Sequence, residues 1–244
     1  MRLLIAFDFD DTLVCMKNNK NVTAGSRQDR ESLLTHCQKM HKSEEPIIIQ
    51  ATLKSGSIKT IQYPLARGMM KNFVFALNDN PHVIGRSVFV VVITNGSYMP
   101  VAIRRFFMEA YGASEDVAIG IRVVSRCCHH DRDLRYNINR ATALETFCRF
   151  LNSSRHRPRL YENTATDLWS FITPQMVYLF DDLTHNLLGA KEKGFNAINS
   201  REPAFFNHLN LLVNIIRSER FLGGIHNTSY DQIKTLETDG WAVV

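Results

Sequence analysis

Three short stretches of the chain hold the residue types that chemistry needs. Asp8, Asp10 and Asp11 close the apolar run Leu3-Leu4-Ile5-Ala6-Phe7. Acids crowded at the end of a buried strand repel one another and resist desolvation unless a cation or a proton answers them. The plain alternative is an ordinary acidic turn. The reading that the rest of the chain favours is a divalent-metal site with a carboxylate nucleophile. Thr94-Asn95-Gly96 follows a second apolar run, and Asp181-Asp182, with Asn186 a turn later, follows a third.

These stretches need a scaffold that brings strand ends together. The run over 3–7 is too short for a helix and reads as a buried strand. Residues 15–63 then break the rhythm. They contain a helix expected over 29–42 and two β-rich runs, 47–53 and 58–63, around Lys54-Ser55-Gly56-Ser57, which read as a hairpin. A helix over 67–77 follows, with Met70, Phe73, Val74 and Leu77 at helical spacing. The remaining pattern predicts strands over 87–93, 117–124, 176–180 and 195–198. Between and after them it predicts helices over 99–110, 139–151, 184–193 and 203–216. Alternating strands and helices imply an α/β fold, a doubly wound parallel sheet with a small helix-plus-hairpin cap. The expected division is a core over 1–220, interrupted by the 15–63 insertion, and a tail over 221–244.

In such a sheet all three polar strand ends meet at one edge. Here the chain resembles haloacid dehalogenase-type (HAD) phosphatases. The first motif of that superfamily, D-x-D-x-T, is matched at Asp8, Asp10 and Thr12. The second, an apolar strand ending in Thr or Ser, is matched at Thr94. The fourth, an apolar strand ending in two acids with an Asn or Asp a turn on, is matched at Asp181, Asp182 and Asn186. The resemblance implies that Asp8 attacks phosphorus and forms an aspartyl-phosphate. It implies that Asp10 protonates the leaving oxygen and then deprotonates the attacking water. It further implies a Mg²⁺ ion held by Asp8, the backbone carbonyl of Asp10, and Asp182, with Asp181 and Asn186 behind them. Thr94 and the backbone N–H groups of Asn95 and Gly96 are expected to hold the phosphoryl oxygens. The acid at position 10 separates phosphatases and phosphomutases from dehalogenases and P-type ATPases, so the resemblance favours phosphoester hydrolysis.

The third motif of the superfamily is a Lys or Arg at a helix start, and no Lys lies between Lys71 and Lys191. An Arg is therefore expected to serve, holding both Asp8 and a phosphate oxygen. Arg140, near the start of the 139–151 helix, is the choice. Arg157 and Arg159, closer in sequence to Asp181, are its rivals. If none serves, the site lacks this cation and the fold acts as a binding module.

Composition removes other classes. Hydrophobic residues at 45% and charged residues at 22% fit a globular chain, with no apolar run long enough to span a bilayer. The first apolar run is too short for the core of a signal peptide, so a cytoplasmic protein is expected. Five scattered cysteines argue for reduced thiols rather than a disulfide framework. Cys127-Cys128-His129-His130-Asp131 invites a zinc reading, but adjacent ligands cannot all face one ion; a loop near the site opening is expected instead. The net charge of +5 suits an anionic substrate surface or weak contact with acidic membranes. Its basic residues are too spread to predict nucleic-acid binding.

In HAD enzymes a large cap closes over small metabolites, whereas an open site admits macromolecules. The 15–63 insertion is small for a lid. The layout is similar to that of effector phosphatases that intracellular bacterial pathogens deliver into host cells, some of which act on phosphotyrosine. The resemblance thus implies a phosphorylated protein or peptide as substrate, phosphotyrosine before phosphoserine. A nucleotide or sugar phosphate is the alternative.

Overall fold

The first apolar run becomes β1 (Leu3–Phe7), every residue of which is buried. In the computed structural model of the chain, the described residues are 2–15, 49–52, 58–61, 63–64, 66–96, 98–125, 138–153 and 171–218. The expected 29–42 helix, the Cys127–Asp131 stretch, Arg157, Arg159 and the 221–244 tail lie outside them.

Four further strands join β1 in one parallel sheet: β6 (Val88–Ile93), β7 (Arg122–Val124), β8 (Val177–Asp181) and β9 (Asn196–Asn199). Their spatial order is β7-β6-β1-β8-β9. β1 is central, with Phe7 opposite Val92 on one side and Phe180 on the other. The chain builds outward on one side of β1, then crosses to build on the other. That reversal makes the carboxyl ends of the central strands the natural place for a site.

Strand alternation splits the core into two layers. Leu3, Ile5, Phe7, Val88, Val90 and Val92 face one side. There they meet helices α1 (Arg67–Asn78), α2 (Pro100–Tyr111), α3 (Glu115–Gly120) and α6 (Ala204–Ser218). Leu4, Ala6, Val91, Ile93, Val177 and Leu179 face the other side, under α4 (Arg140–Asn152) and α5 (Thr184–Glu192). Aromatic rings tie the first layer together. Phe7 stacks on Phe180 at 5.1 Å and meets Phe73 edge-on at 5.6 Å.

One predicted strand is corrected. The 117–124 run is not a strand throughout: α3 occupies Glu115–Gly120, and only Arg122–Val124 extends as β7. The Ser114 hydroxyl accepts from Val117 N–H and caps the helix, and two acids fill its first turn. Those signals favour a helix start over a strand. Val117 and, four residues on, Ile121 bury against the core together with Ala118, an apolar grouping that also fits a short strand.

The insertion leaves and returns at one place. β2 (Val14–Cys15) pairs antiparallel with β5 (Tyr63–Pro64), so the two ends of 15–63 are joined at the base. Within it, β3 (Ile49–Thr52) and β4 (Ile58–Ile61) pair antiparallel, as the strands of the expected hairpin would, with β3 lying against α2. No helix among the described residues is long and apolar enough to cross a membrane.

The end of α2 also fastens the turn after β1. The buried Tyr111 hydroxyl donates to the Leu13 carbonyl at 2.9 Å. Replacing Tyr111 with Phe leaves that carbonyl without this donor and should lower the unfolding free energy by about 1–2 kcal/mol. The exposed Val101→Ala on the same helix should change it by less than about 0.5 kcal/mol. Urea denaturation of the two variants measures both.

Candidate functional site

Asp8 is the first residue beyond β1, and its N–H donates to the Phe180 carbonyl at 2.8 Å, continuing the β1–β8 ladder. That register sets Asp8 beside Asp181, the last residue of β8, and Asp182 follows directly. Carboxylate oxygens of Asp8, Asp181 and Asp182 all lie within 4.8 Å of one another, and all three side chains are buried.

Arg140 answers this charge. It is the first residue of α4, whose start is fixed by the Asn139 side chain accepting from Thr142 N–H. The guanidinium is itself buried. Its Nη2 donates to Asp8 Oδ1 at 2.5 Å and its Nη1 to the Ile138 carbonyl at 2.9 Å. Nε lies 3.5 Å from Asp181 Oδ2, an ion-pair contact without hydrogen-bond geometry. An Arg can span two carboxylates in this way because its donors form a fixed fork.

Asp181 is held from behind. Its Oδ1 accepts from Leu183 N–H at 2.8 Å, and Asn186 Nδ2 donates to both of its oxygens at 3.1 and 3.0 Å. Asn186 reaches it because α5 begins at Thr184 and turns its first residues back over the strand end. Asp182 Oδ2 instead accepts from Arg201 Nη2 at 2.6 Å, at the rim of the cluster.

The loop after β1 makes a tight turn. Asp11 sits at φ 62°, a left-handed conformation that Asp tolerates better than most residues. The buried Thr12 hydroxyl shares a 3.3 Å hydrogen bond with Ser200, tying this loop to the end of β9. Asp10 points toward the end of β6. Its Oδ2 accepts from the Thr94 hydroxyl at 3.1 Å and its Oδ1 from the Tyr98 hydroxyl at 2.7 Å. Two of the groups expected to hold phosphoryl oxygens, the Thr94 hydroxyl and the Gly96 N–H, have partners within the chain, and the Asn95 side chain is engaged as well. Gly96 N–H donates to Thr94 Oγ1 at 2.9 Å, and Asn95 Oδ1 accepts from Ile138 N–H at 2.7 Å.

Electrostatics show that two cations do not fully compensate the cluster. Burial pushes Asp8 well above the usual carboxylate range; Arg140 opposes this, and the neighbouring Asp181, Asp10 and Asp182 add to it. Burial raises Asp181 too, against its hydrogen bonds from Leu183 and Asn186. Asp182 is pushed up to about 7, chiefly by burial, with Arg201 opposing. A further positive charge with a preference for oxygen donors fits this set, which is the chemistry of a hard divalent cation such as Mg²⁺.

The structure thus brings Asp8, Asp10, Thr94, Arg140, Asp181, Asp182 and Asn186 to one edge of the sheet. Two residues at this edge were not anticipated, Tyr98 and Arg201. Arg201 follows the last strand, and the rule that strand ends converge would have pointed to it. Tyr98 carries no signal in a single sequence beyond its nearness to Thr94.

Two outcomes follow from this geometry. Arg140→Ala leaves buried carboxylates without their counter-ion and should lower the unfolding free energy by about 3–5 kcal/mol, read by urea denaturation. The second concerns pH. Asp182 binds its proton in the folded state up to about 7, whereas an unfolded Asp releases it near about 4. Within that window the folded form binds more protons, so stability falls as pH rises. In EDTA, the melting temperature should fall between those two pH values, and Asp182→Asn should flatten the slope.

No protein-family model matches the chain, and no curated protein does. Among solved structures it is similar to the HAD domain of effector protein Lem4 from Legionella pneumophila. The identity is 11% and the TM-score 0.43, with 88% of this chain and 97% of that one covered. It is also similar to the Legionella pneumophila effector Ceg4 carrying an N-terminal TEV protease cleavage sequence. There the identity is 11% and the TM-score 0.41, over 88% of this chain and 93% of that one.

Proposed function

We propose that the chain is a Mg²⁺-dependent phosphomonoester hydrolase of the HAD type, acting through an aspartyl-phosphate on Asp8. The observation that carries this reading is the Arg140 guanidinium seated on Asp8 inside the buried Asp8–Asp181–Asp182 cluster. It supplies the cation that the missing Lys left in doubt, and it supports an enzyme over a binding module. An Asp placed at a strand end, buried, and oriented by a fixed donor is suited to nucleophilic attack.

Each residue has a part in this reading. Asp8 attacks phosphorus, and Arg140 orients it while drawing charge from a phosphoryl oxygen. Asp10 gives a proton to the leaving oxygen and later takes one from water. Thr94, with the Asn95 and Gly96 N–H groups, receives the phosphoryl oxygens, which requires both the Gly96-to-Thr94 and the Thr94-to-Asp10 hydrogen bonds to open. Asp8, the Asp10 carbonyl and Asp182 would hold Mg²⁺, with Asp181 and Asn186 steadying them from behind. When bound, that ion supplies neutralisation of the nucleophile and the phosphoryl charge.

The substrate we propose is a phosphorylated protein or peptide, phosphotyrosine first. The described part of the insertion is an antiparallel strand pair, with a two-residue pairing at its base, and the 15–63 stretch is short for a lid over a metabolite. The positive net charge suits an anionic substrate surface. The setting we propose is the cytosol, that of a host cell if the chain is an effector.

Phosphate release from nitrophenyl phosphate tests the reading. Turnover should require Mg²⁺, stop in EDTA, and fall by about a thousandfold or more in Asp8→Asn. Wild-type turnover no greater than that of the variant would overturn it. On a substrate panel, a phosphotyrosine peptide should exceed phosphoserine peptides and sugar or nucleotide phosphates in kcat/KM. The reverse order would favour the metabolite alternative.

A further inference from the structure

Tyr98 lies outside the motifs, yet it is fully buried and ends on Asp10. Its place is built from several sides. The ring meets Phe9 edge-on at 4.9 Å, and its backbone carbonyl accepts from the buried Ser125 hydroxyl at 2.6 Å. A Cβ on residue 96 would lie 2.3 Å from the Tyr98 ring and 3.1 Å from Asp10 Oδ2. Only glycine lets the ring and the carboxylate approach this closely. A buried phenol needs a partner, but many backbone carbonyls would satisfy it. This one is aimed at a side chain on the loop after β1 instead.

We propose that Tyr98 is a positioning residue that aims the Asp10 carboxylate, anchoring Oδ1 so that Oδ2, on the Thr94 side, exchanges the proton. The inference rests on the phosphatase reading above. In the first half-reaction an Asp8 oxygen bonds to phosphorus, the bond from phosphorus to the leaving oxygen breaks, and the proton on Asp10 Oδ2 passes to that oxygen. In the second, a water oxygen bonds to phosphorus, the Asp8–phosphorus bond breaks, and the water proton returns to Asp10 Oδ2. Throughout, the Tyr98 hydroxyl stays a donor to Oδ1 and is not consumed. At rest Thr94 donates to Oδ2 and Tyr98 to Oδ1. With the Thr94 hydroxyl turned to a phosphoryl oxygen, Tyr98 still holds Oδ1 and so fixes the direction of Oδ2, which is the geometric requirement of proton transfer in the transition state.

The test compares leaving groups, because an alkoxide needs a proton on departure and a nitrophenolate barely does. In Tyr98→Phe, kcat/KM for an alkyl phosphate should fall about tenfold or more, and several-fold less for nitrophenyl phosphate. In an Asp10→Asn background the same substitution should cause no further loss. Equal losses on both substrates, no loss on either, or an undiminished loss in Asp10→Asn would overturn the proposal. A measurement independent of the Phe variant's folding is NMR of the wild type. A slowly exchanging Tyr98 hydroxyl proton should appear downfield and vanish in Asp10→Ala, and its absence from the wild type would also overturn the proposal. Wild type without Mg²⁺-dependent turnover would overturn the phosphatase reading itself, and this inference with it. An active wild type with an unaffected Tyr98→Phe overturns the inference alone.

Discussion

The ion pair between Arg140 and Asp8 is the contact on which the rest of the site depends. Three carboxylates are buried together at the end of the sheet, and each is pushed toward its neutral form by loss of water. The nucleophilic role proposed for Asp8 needs an ionised carboxylate, so the fold has to return part of the solvation it removed. Arg140 does this from the first turn of α4, where an Asn139 cap and a bond from its own Nη1 to the Ile138 carbonyl set its direction. Arg201 plays a similar part for Asp182, from the loop after β9. The carboxyls remain raised above their usual range, a deficit that a divalent cation would answer.

The sheet explains why these residues meet. Because β1 lies between β6 and β8 in parallel register, the positions just past Phe7, Ile93 and Phe180 share one edge. Alternating side chains fill two apolar layers on either side, so the strands cannot slip by one residue without exposing a whole face. Strand ends then carry the polar groups, while the turn after β6 and the first turn of the helix after β8 bring Tyr98 and Asn186 back over them. The insertion is anchored at the same edge by the pairing of Val14–Cys15 with Tyr63–Pro64.

Within that edge two sub-clusters divide the labour. Asp8, Asp181, Asp182, Arg140 and Arg201 form the charged half. Asp10, Thr94, Gly96 and Tyr98 form a hydrogen-bonded half in which each Asp10 oxygen has a donor. Position 96 must be glycine for the second half to assemble, since any side chain would meet the Tyr98 ring. The phosphate-binding role proposed for Thr94 and Gly96 therefore requires an exchange of partners, from an internal hydrogen bond to a substrate oxygen.

Much of this was legible in the chain itself, because strand burial and strand-end chemistry are local properties. Short apolar runs closing in Asp8, Thr94 and Asp181 declare both the strands and the edge, and alternation with helices declares a parallel sheet. The 117–124 run is ambiguous because Val117, Ala118 and Ile121 fit a short strand as well as a helix, and only the Ser114 cap and the two acids after it separate the two. Other features depended on tertiary structure. Sequence left Arg140 competing with other arginines, since a long-range ion pair spanning 132 positions has no local signature. Tyr98 has no local signature for the same reason, since its partner Asp10 lies on another element, and the strand-end position of Arg201 does not name Asp182 as its partner. Residue type and spacing determined which groups reach the edge of the sheet. Packing alone decided which of them touch, because contact between distant segments depends on register, helix placement and the space a glycine leaves.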